Sequence, residues 1–248
     1  MNLFPRIRWA AGRPIVFVHI PKTAGTAVTR YLSQGSATSV APPFVGDYSI
    51  YTGRTHRWSL IAGHFTYARM RELVPRGDFF TFLREPVARA ISLYRSWKDP
   101  AKMTPQWRSV MTAEEVRLFD WVYRASLEEF VMSDHPHVVR GLSNNMTTFL
   151  SADGTADAAS ALRTLQSNFV TFGIQEEFDE SLRCMRQSWP RLGPYRLQSA
   201  SENRSQIEIG DVTTTALRRI EQLNSIDIEF YDAAKRLFHS RNVGLRAA

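Results

Sequence analysis

The stretch from Pro14 to Leu32 constrains the fold more than any other part of the sequence. Its first half, Ile15 to Ile20, is an apolar run rich in β-branched residues, which is typical of a strand buried on both faces. Pro21 has no N–H to donate to a strand ladder, so it ends the run. After a turn at residues 22–25, apolar residues recur at helical spacing at positions 28, 31 and 32. The sequence therefore predicts a strand, a tight turn and a helix in direct succession.

The turn in this stretch carries groups that suit an anion. The first turn of a helix leaves N–H groups unpaired and carries the positive end of the helix dipole. Gly25 lets the backbone approach a ligand closely, Thr23 and Thr26 offer hydroxyl donors, and Lys22 adds a full charge. The Walker sequence places its lysine at the end of the loop after an earlier glycine, whereas Lys22 opens this loop. We predict a phosphate loop made of Lys22, Thr23, Ala24, Gly25, Thr26 and Ala27.

A second group of candidate residues follows the run from Asp78 to Arg84, which predicts another strand. Pro86 suits the first turn of the next helix, and apolar residues then follow a helical period. Arg84 ends the strand, and Ser92 lies two helical turns further on. A guanidinium binds phosphate bidentately, so lysine would not be a conservative replacement for Arg84. A surface helix with scattered polar residues is the alternative.

His64 follows a third predicted strand, Trp58 to Gly63. Strands that alternate with helices imply a parallel sheet covered on both faces, with ligands beyond the carboxyl ends of the strands. The phosphate loop, His64 and Arg84 all lie at such ends, so they can converge. Taken alone, a histidine near an apolar run is more often a hydrogen-bonded core residue. An imidazole ordinarily titrates near neutral pH, however, and this property suits a general base.

The rest of the chain predicts mainly helices. Thr112 and Glu115 form a capping box that opens a helix reaching Met132, with Tyr123 among its inward residues. Further helices are predicted over 156–166, 176–189, 212–223 and 226–241, with a strand over 169–173 and a loop over 190–210. His135 and His137 are too few for a zinc site, so we interpret them as loop residues. We expect an α/β fold: a single domain over residues 1–248, with a mostly parallel sheet flanked by helices.

Composition narrows the class of protein. The chain has 248 residues, with 44% hydrophobic and 22% charged residues, which is ordinary for a globular domain. The net charge of +7 fits an anionic ligand, but the arginines are scattered, and a generally basic surface explains most of them. We therefore expect no nucleic-acid partner. The single cysteine, Cys184, excludes an internal disulfide and suits a reducing cytoplasm. No apolar run approaches the roughly 20 residues of a membrane span, and residues 1–13 lack the apolar core of a signal peptide.

Two motifs resemble one known family. His-Ile-Pro-Lys-Thr-Ala-Gly-Thr, at residues 19–26, resembles the 5′-phosphosulfate loop of sulfotransferases that use 3′-phosphoadenosine 5′-phosphosulfate (PAPS). Within them it is most similar to the carbohydrate branch that includes heparan sulfate 2-O-sulfotransferases and many bacterial relatives. Residues 84–94 match that family's pattern Arg-x-Pro-x-x-Arg-x-x-Ser-x-Tyr. The resemblance implies a P-loop-like three-layer fold, PAPS as co-substrate and a carbohydrate or glycoconjugate acceptor.

The resemblance also implies roles for particular residues. The phosphate loop would hold the 5′-phosphosulfate, Arg84 and Ser92 the 3′-phosphate, and His64 would act as the general base. Residues 203–205 are similar to a segment that closes over the nucleotide, which implies binding roles for Arg204 and Ser205; a polar surface turn is the alternative. Residues 144–151 resemble a stretch in which glutamine and arginine are common where Met146 and Thr148 stand, so the contacts to the acceptor stay open.

These implications define a reaction and its rivals. His64 would take the acceptor proton during in-line transfer, Lys22 would stabilise charge on the leaving phosphate, and no metal would be required. Relatives that work in the Golgi have a membrane anchor, so the chain is either a bacterial cytoplasmic enzyme, which we favour, or a shortened form of an anchored one. The rivals are a P-loop kinase that uses ATP and magnesium, and a non-catalytic basic module that binds a polyanion. The kinase lacks support because the lysine is misplaced and no strand-end Asp is available for magnesium.

Overall fold

The structure is a computed structural model that describes residues 13–35, 58–100, 104–190, 192 and 212–242. Arg204, Ser205 and most of the loop predicted over 190–210 lie outside the described residues. The strands are β1 (Ile15–Val18), β2 (Leu60–Gly63), β3 (Asp78–Leu83) and β4 (Phe169–Ile174). The helices are α1 (Gly25–Gly35), α2 (Tyr67–Leu73), α3 (Pro86–Trp97), α4 (Pro105–Arg108), α5 (Ala113–Arg124), α6 (Leu127–Met132), α7 (Pro136–Leu142), α8 (Asn145–Leu150), α9 (Ala158–Asn168), α10 (Phe178–Ser188), α11 (Thr214–Leu223) and α12 (Ser225–Asn242).

The four strands form one parallel sheet in the order β2-β1-β3-β4. Val18, the last residue of β1, pairs with Gly63 of β2 and with Thr81 of β3. Since all strands run the same way, the loop after β1, His64 after β2 and Arg84 after β3 leave the sheet at one edge. The predicted fold class, an α/β domain with a parallel sheet flanked by helices, is confirmed.

Helices cover both faces of this sheet. In β1 the side chains alternate: Val16 and Val18 pack in a cluster with residues of α2, α8, α9 and α12, while Ile15 and Phe17 pack with residues of α1 and α10. Both faces of the strand are buried, which explains its continuous apolar sequence. A third cluster joins α3, α5, α6, α7 and α11. This cluster holds α3, and with it Ser92, over the carboxyl edge of the sheet.

The single helix predicted from Thr112 to Met132 is wrong, because the chain forms two helices there. Thr112 caps α5 as predicted, but Ser126 and Glu129 form a second capping box that starts α6. The break exposes the carbonyl of Ala125, which accepts hydrogen bonds from Tyr94 Oη at 2.8 Å and Lys98 Nζ at 2.9 Å. Tyr123, expected to point inward, is 46% exposed. Leu118 and Val122 are the buried residues of α5.

The loop interpretation of residues 135–137 also needs correction. His135 caps α7 and Pro136 is its first residue, so Pro136 and His137 are helical. Proline suits this position because the first helical N–H has no partner inside the helix. The short helices α2, α4, α7 and α8 were not predicted, since each is at most 7 residues long and shows little periodicity. Among the described residues, no helix combines the length and the apolar character required to cross a membrane.

Candidate functional site

A cavity of about 950 Å³ lies at the carboxyl edge of the sheet. Most of the predicted site residues line it: Lys22, Ala24, Gly25, Thr26, Ala27, His64, Arg84 and Ser92. It is much larger than a second cavity of about 260 Å³ between β4, α10 and α12. Three segments far apart in the chain therefore meet at one concave surface. Thr23 is the exception within the phosphate loop, because it does not line this cavity.

The backbone of the phosphate loop is shaped to present N–H groups. Lys22 and Ala24 have φ values of 73° and 67°, in the left-handed region that residues with a Cβ rarely adopt. Left-handed residues that alternate with ordinary ones turn successive N–H groups toward one point, which creates a concave anion site. Thr23 is fully buried, and its hydroxyl donates to the carbonyl of Ile20 at 2.9 Å. The hydroxyl that we expected to donate to a phosphate instead closes the loop.

Arg84 joins the loop from the end of β3. Its Nη1 donates to the carbonyl oxygen of Lys22 at 3.2 Å, while its buried Nε makes no hydrogen bond within the described residues. Burial lowers the pKa of Lys22, and the charge of Arg84 lowers it further. Burial also lowers the pKa of Arg84, although Glu176 and Glu85 oppose this change. Lys22 is half-buried and Arg84 is buried, so both cations have lost part of their hydration, and an anion in the cavity would be bound favourably by them.

The N-terminus of α3 is held by carboxylates. Both oxygens of Glu85 accept from the first turn, at 2.9 Å from Val87 N and 2.6 Å from Ala88 N. The backbone N–H of Glu85 donates in turn to Glu176 at 3.0 Å, and Tyr231 Oη donates to the other oxygen of Glu176 at 2.8 Å. This chain of contacts fixes the start of α3 relative to β4 and α12. Ser92, which is 6% exposed, therefore has a defined place at the cavity wall.

His64 has one tautomer set by its surroundings. Its Nδ1 lies 2.8 Å from the carbonyl oxygen of His19, and a carbonyl only accepts, so Nδ1 carries the proton. Nε2 is then the nitrogen with a free lone pair. Although part of His64 is exposed to solvent, desolvation of its ring lowers its pKa; the hydrogen bond to the His19 carbonyl opposes this shift, and the charge of Lys22 adds to it. A neutral imidazole with an unprotonated Nε2 at a cavity wall has the properties of a general base.

His19 is a cavity residue that the sequence-based predictions missed. Its ring stands beside that of His64, with the centroids 4.2 Å apart. Burial lowers the pKa of His19 to about 3, with contributions from His64 and Lys22, so the ring is neutral near pH 7. The sequence contains a signal for this position. His19 directly follows Val18, the last residue of β1, and lies two residues after Phe17, so its side chain is expected on the same face as that of Phe17.

The remaining described wall comes from Pro21, from residues on α3, α7 and α8, from the short 3₁₀ turn after β4 and from the start of α10. These residues are Pro21, Leu93, Ser96, Trp97, Gly141, Asn145, Gln175, Glu176, Phe178 and Asp179. Within the segment 144–151, only Asn145 lines the cavity. Met146 is fully buried in the core, and the hydroxyl of Thr148 donates to the carbonyl of Asn144 at 2.8 Å. Neither of these two positions presents a side chain for an acceptor.

Helix α8, which carries Asn145, is held against α12 because side chains at the start of each helix accept hydrogen bonds from the first N–H groups of the other. The carboxylate of the fully buried Asp227 accepts from Met146 N at 2.8 Å, Thr147 N at 2.8 Å and Thr147 Oγ1 at 2.7 Å. The side-chain oxygen of Asn144 accepts from Ile226 N and Asp227 N, both at 3.1 Å. Each helix thus supplies acceptors for the unpaired N–H groups of the other.

Arg89, the second arginine of the 84–94 motif, has the largest fully buried side chain among the residues that the structure describes. It donates to the carbonyl oxygens of Gly141 at 3.1 Å and Leu142 at 2.6 Å, and to Asn224 Oδ1 at 3.3 Å. These contacts join α3 to the ends of α7 and α11. Arg89 therefore acts on the cavity by holding its wall.

Within the ranges that the structure describes, no group of three or more His, Cys, Asp or Glu side chains could hold a metal ion. No protein-family model matches the chain, and no curated protein matches it either.

Proposed function

We propose that the protein is a sulfotransferase that moves a sulfuryl group from PAPS to a hydroxyl of a carbohydrate or glycoconjugate. One observation carries the proposal. A single cavity of about 950 Å³ is lined by the phosphate loop, by Arg84 and Ser92, and by a histidine with a basic Nε2. A non-catalytic binding module would leave the base without a purpose, and a P-loop kinase would have its lysine at the end of the loop, whereas Lys22 opens it.

The donor set fits a nucleotide that carries phosphates at both ends. The loop offers backbone N–H groups and Lys22, and the second group offers a buried guanidinium edge and a hydroxyl. Arg84 Nε has no hydrogen-bond partner among the described residues, and a phosphate oxygen would satisfy it. The volume of the cavity lies near the upper end of the roughly 300–1,000 Å³ that small-molecule sites occupy.

The chain's own residues would act as follows. His64 Nε2 accepts the proton of the acceptor hydroxyl as its oxygen forms a bond to sulfur on one side. The bond from sulfur to the phosphate oxygen breaks on the other side, and that oxygen keeps the electron pair. Lys22 and the loop N–H groups stabilise the charge that develops there. His64 later releases its proton to solvent, which its lowered pKa favours. PAPS supplies the activated sulfuryl group, and adenosine 3′,5′-bisphosphate leaves.

The carbohydrate acceptor and the bacterial kinship are parts of the proposal that rest on the sequence resemblance. The proposed cytoplasmic location rests on the resemblance and on the single cysteine. A sugar of a capsule, a lipopolysaccharide, a glycolipid or a secreted oligosaccharide would each provide the required hydroxyl.

A thermal-shift experiment in three arms tests the proposal. We expect adenosine 3′,5′-bisphosphate to raise the melting temperature with a metal chelator present, ATP with magnesium to raise it less, and a sulfated polyanion least. Stabilisation by ATP–magnesium without any by the bisphosphate would support the kinase, and stabilisation by the polyanion alone would support the binding module. Either result would refute the proposal.

A further inference from the structure

We propose that the His19 imidazole is a positioning residue that couples the phosphate loop to His64. The ring stands between the two, touching the loop at Gly25 and the base at its face. The consequence for turnover rests on the proposed function, but the coupling itself is a property of the folded chain.

The contact with the loop is direct. A Cβ built on Gly25 would lie 1.6 Å from His19 Nε2 and 2.0 Å from its Cδ2, which is far closer than two atoms can approach. The backbone conformation of Gly25 is one that other residues can adopt, so space alone requires glycine here. The His19 ring therefore occupies the position that any side chain at residue 25 would need.

The contact with the base has two parts. The carbonyl of His19 accepts from His64 Nδ1 at 2.8 Å, and the two rings are tilted by 37° at a centroid distance of 4.2 Å. The position of the His19 ring is itself fixed from behind. It stacks on Phe17 at 5.2 Å, and Phe17 stacks on Phe80 at 4.5 Å. A column of four rings thus begins in the core between β1 and β3 and ends at His64.

This arrangement requires a ring that stays uncharged. A protonated His19 would face Lys22 and, after proton transfer, a protonated His64. Burial and these two neighbours hold the pKa of His19 at about 3. The other charged groups that line the cavity are Arg84, Glu176 and Asp179. His19 is therefore suited to hold the base in place and unsuited to exchange protons itself.

A mutant cycle tests the contact with the loop. In Gly25→Ala the new methyl displaces the His19 ring, so we expect a lower melting temperature. In the double variant Gly25→Ala/His19→Ala the space is free, and we expect a melting temperature about 3 °C or more above that of Gly25→Ala. Gly77→Ala is the matched control. A Cβ there would lie 2.6 Å from Val16 Cγ2, away from His19, so adding His19→Ala should lower its melting temperature further.

The ring ¹⁵N signals of His64 test the contact with the base without any nucleotide. Both His19→Ala and Gly25→Ala keep the His19 carbonyl but remove or displace the ring that packs beside His64 and holds it against that carbonyl. We therefore expect one neutral tautomer, with the proton on Nδ1, in the wild type, and a mixture of tautomers in both variants. His19→Gln fills a similar volume and cannot be protonated, so it should retain more of the single tautomer. If His19→Ala does not fold, Gly25→Ala carries this measurement, and a single Nδ1-protonated tautomer there, as in the wild type, would count against the proposal.

The outcomes separate this inference from the proposed function. A double variant no more stable than Gly25→Ala, or an unchanged His64 tautomer in both single variants, would overturn the coupling even in an active sulfotransferase. If the protein transfers sulfuryl groups, we expect the kcat of His19→Ala to fall about 10–100-fold, with a smaller loss in His19→Gln. If the kcat of His19→Ala and that of His19→Gln fell equally, His19 would contact the reactants itself, and the positioning role would be refuted.

Discussion

The Asp227 carboxylate provides the sharpest test of how the cavity wall is built. In Asp227→Asn, one acceptor oxygen becomes an NH₂ group that faces backbone N–H donors at the start of α8. The three hydrogen bonds to this carboxylate are 2.7–2.8 Å long, and bonds to a charged group contribute about 1.5–3 kcal/mol each. Removing one partner of a buried pair of charges typically costs about 3–5 kcal/mol, and Arg89 would lose the opposite charge that acts on it.

We expect the loss of unfolding free energy in Asp227→Asn to lie at the lower end of this range of about 3–5 kcal/mol. Burial raises the pKa of Asp227, and Arg89 and the backbone donors offset only part of this effect. The ionised carboxylate therefore begins with a desolvation cost that the asparagine does not have. We expect Asp227→Asn to lower the free energy of unfolding by about 3 kcal/mol at pH 7.

Urea denaturation measures this loss, and α12 offers a matched control. Asp232 is an exposed aspartate on the same helix, so Asp232→Asn should change the free energy of unfolding by no more than about 0.5 kcal/mol. The mutual caps of α8 and α12 would be refuted as a source of stability if the two variants had equal unfolding free energies.

Four further predictions concern the cavity. Lys22→Ala should lower kcat about 10²–10³-fold in a sulfuryl-transfer assay, because the leaving phosphate loses its stabilising charge; near-normal turnover would remove Lys22 from the mechanism. His64→Ala should lower kcat about 10²–10⁴-fold with little change in the affinity for adenosine 3′,5′-bisphosphate by calorimetry, and a loss of affinity as large as the loss of rate would contradict a role as base. Because burial lowers the pKa of His64, the acidic limb of the wild-type profile of kcat/KM against pH should lie below 6.5; a limb above 6.5 would contradict the proposed environment. Because the pKa of His19 is about 3 in the folded state, its contribution to stability is complete above about pH 6.5 and declines as the pH falls toward 3. In His19→Gln the free energy of unfolding should therefore fall less steeply with pH than in the wild type, by up to about 1.4 kcal/mol per pH unit, in urea denaturation between pH 6.5 and 4.5. The same slope in both proteins would contradict the low pKa of His19.

The sequence predicted those parts of the fold that have a local cause. β1, β3 and the start of α3 follow from apolar runs, from spacing and from Pro86 in the first helical turn. The ends of β1 and β3 lie within two residues of the predicted ones. The break between α5 and α6 also has a local signal, the capping box of Ser126 and Glu129, but the apolar period continues through it. The continuous apolar period favoured one long helix, so the capping box was not recognised as the start of a second helix.

The other parts that were not predicted depend on contacts between distant residues. The bond from Arg84 to the carbonyl of Lys22 spans 62 positions, and that from Glu85 to Glu176 spans 91. No pattern of composition or spacing reports such pairs. The phosphate loop, His64 and Arg84 could be placed at one edge because parallel strands share a direction. The wall from α7, α8 and α10 could not, because its position follows from how the helices pack.

The central claim is that one cavity binds both phosphates of a single nucleotide. Isothermal titration at pH 7 with a metal chelator tests it, using adenosine 3′,5′-bisphosphate against adenosine 5′-monophosphate on the wild type and on Arg84→Ala. Hydrogen bonds to a charged phosphate contribute about 1.5–3 kcal/mol, so the 3′-phosphate should tighten binding to the wild type by about 10–150-fold. Arg84→Ala should lose most of that difference. Equal affinity of the wild type for the two nucleotides, or no binding of either, would contradict the account.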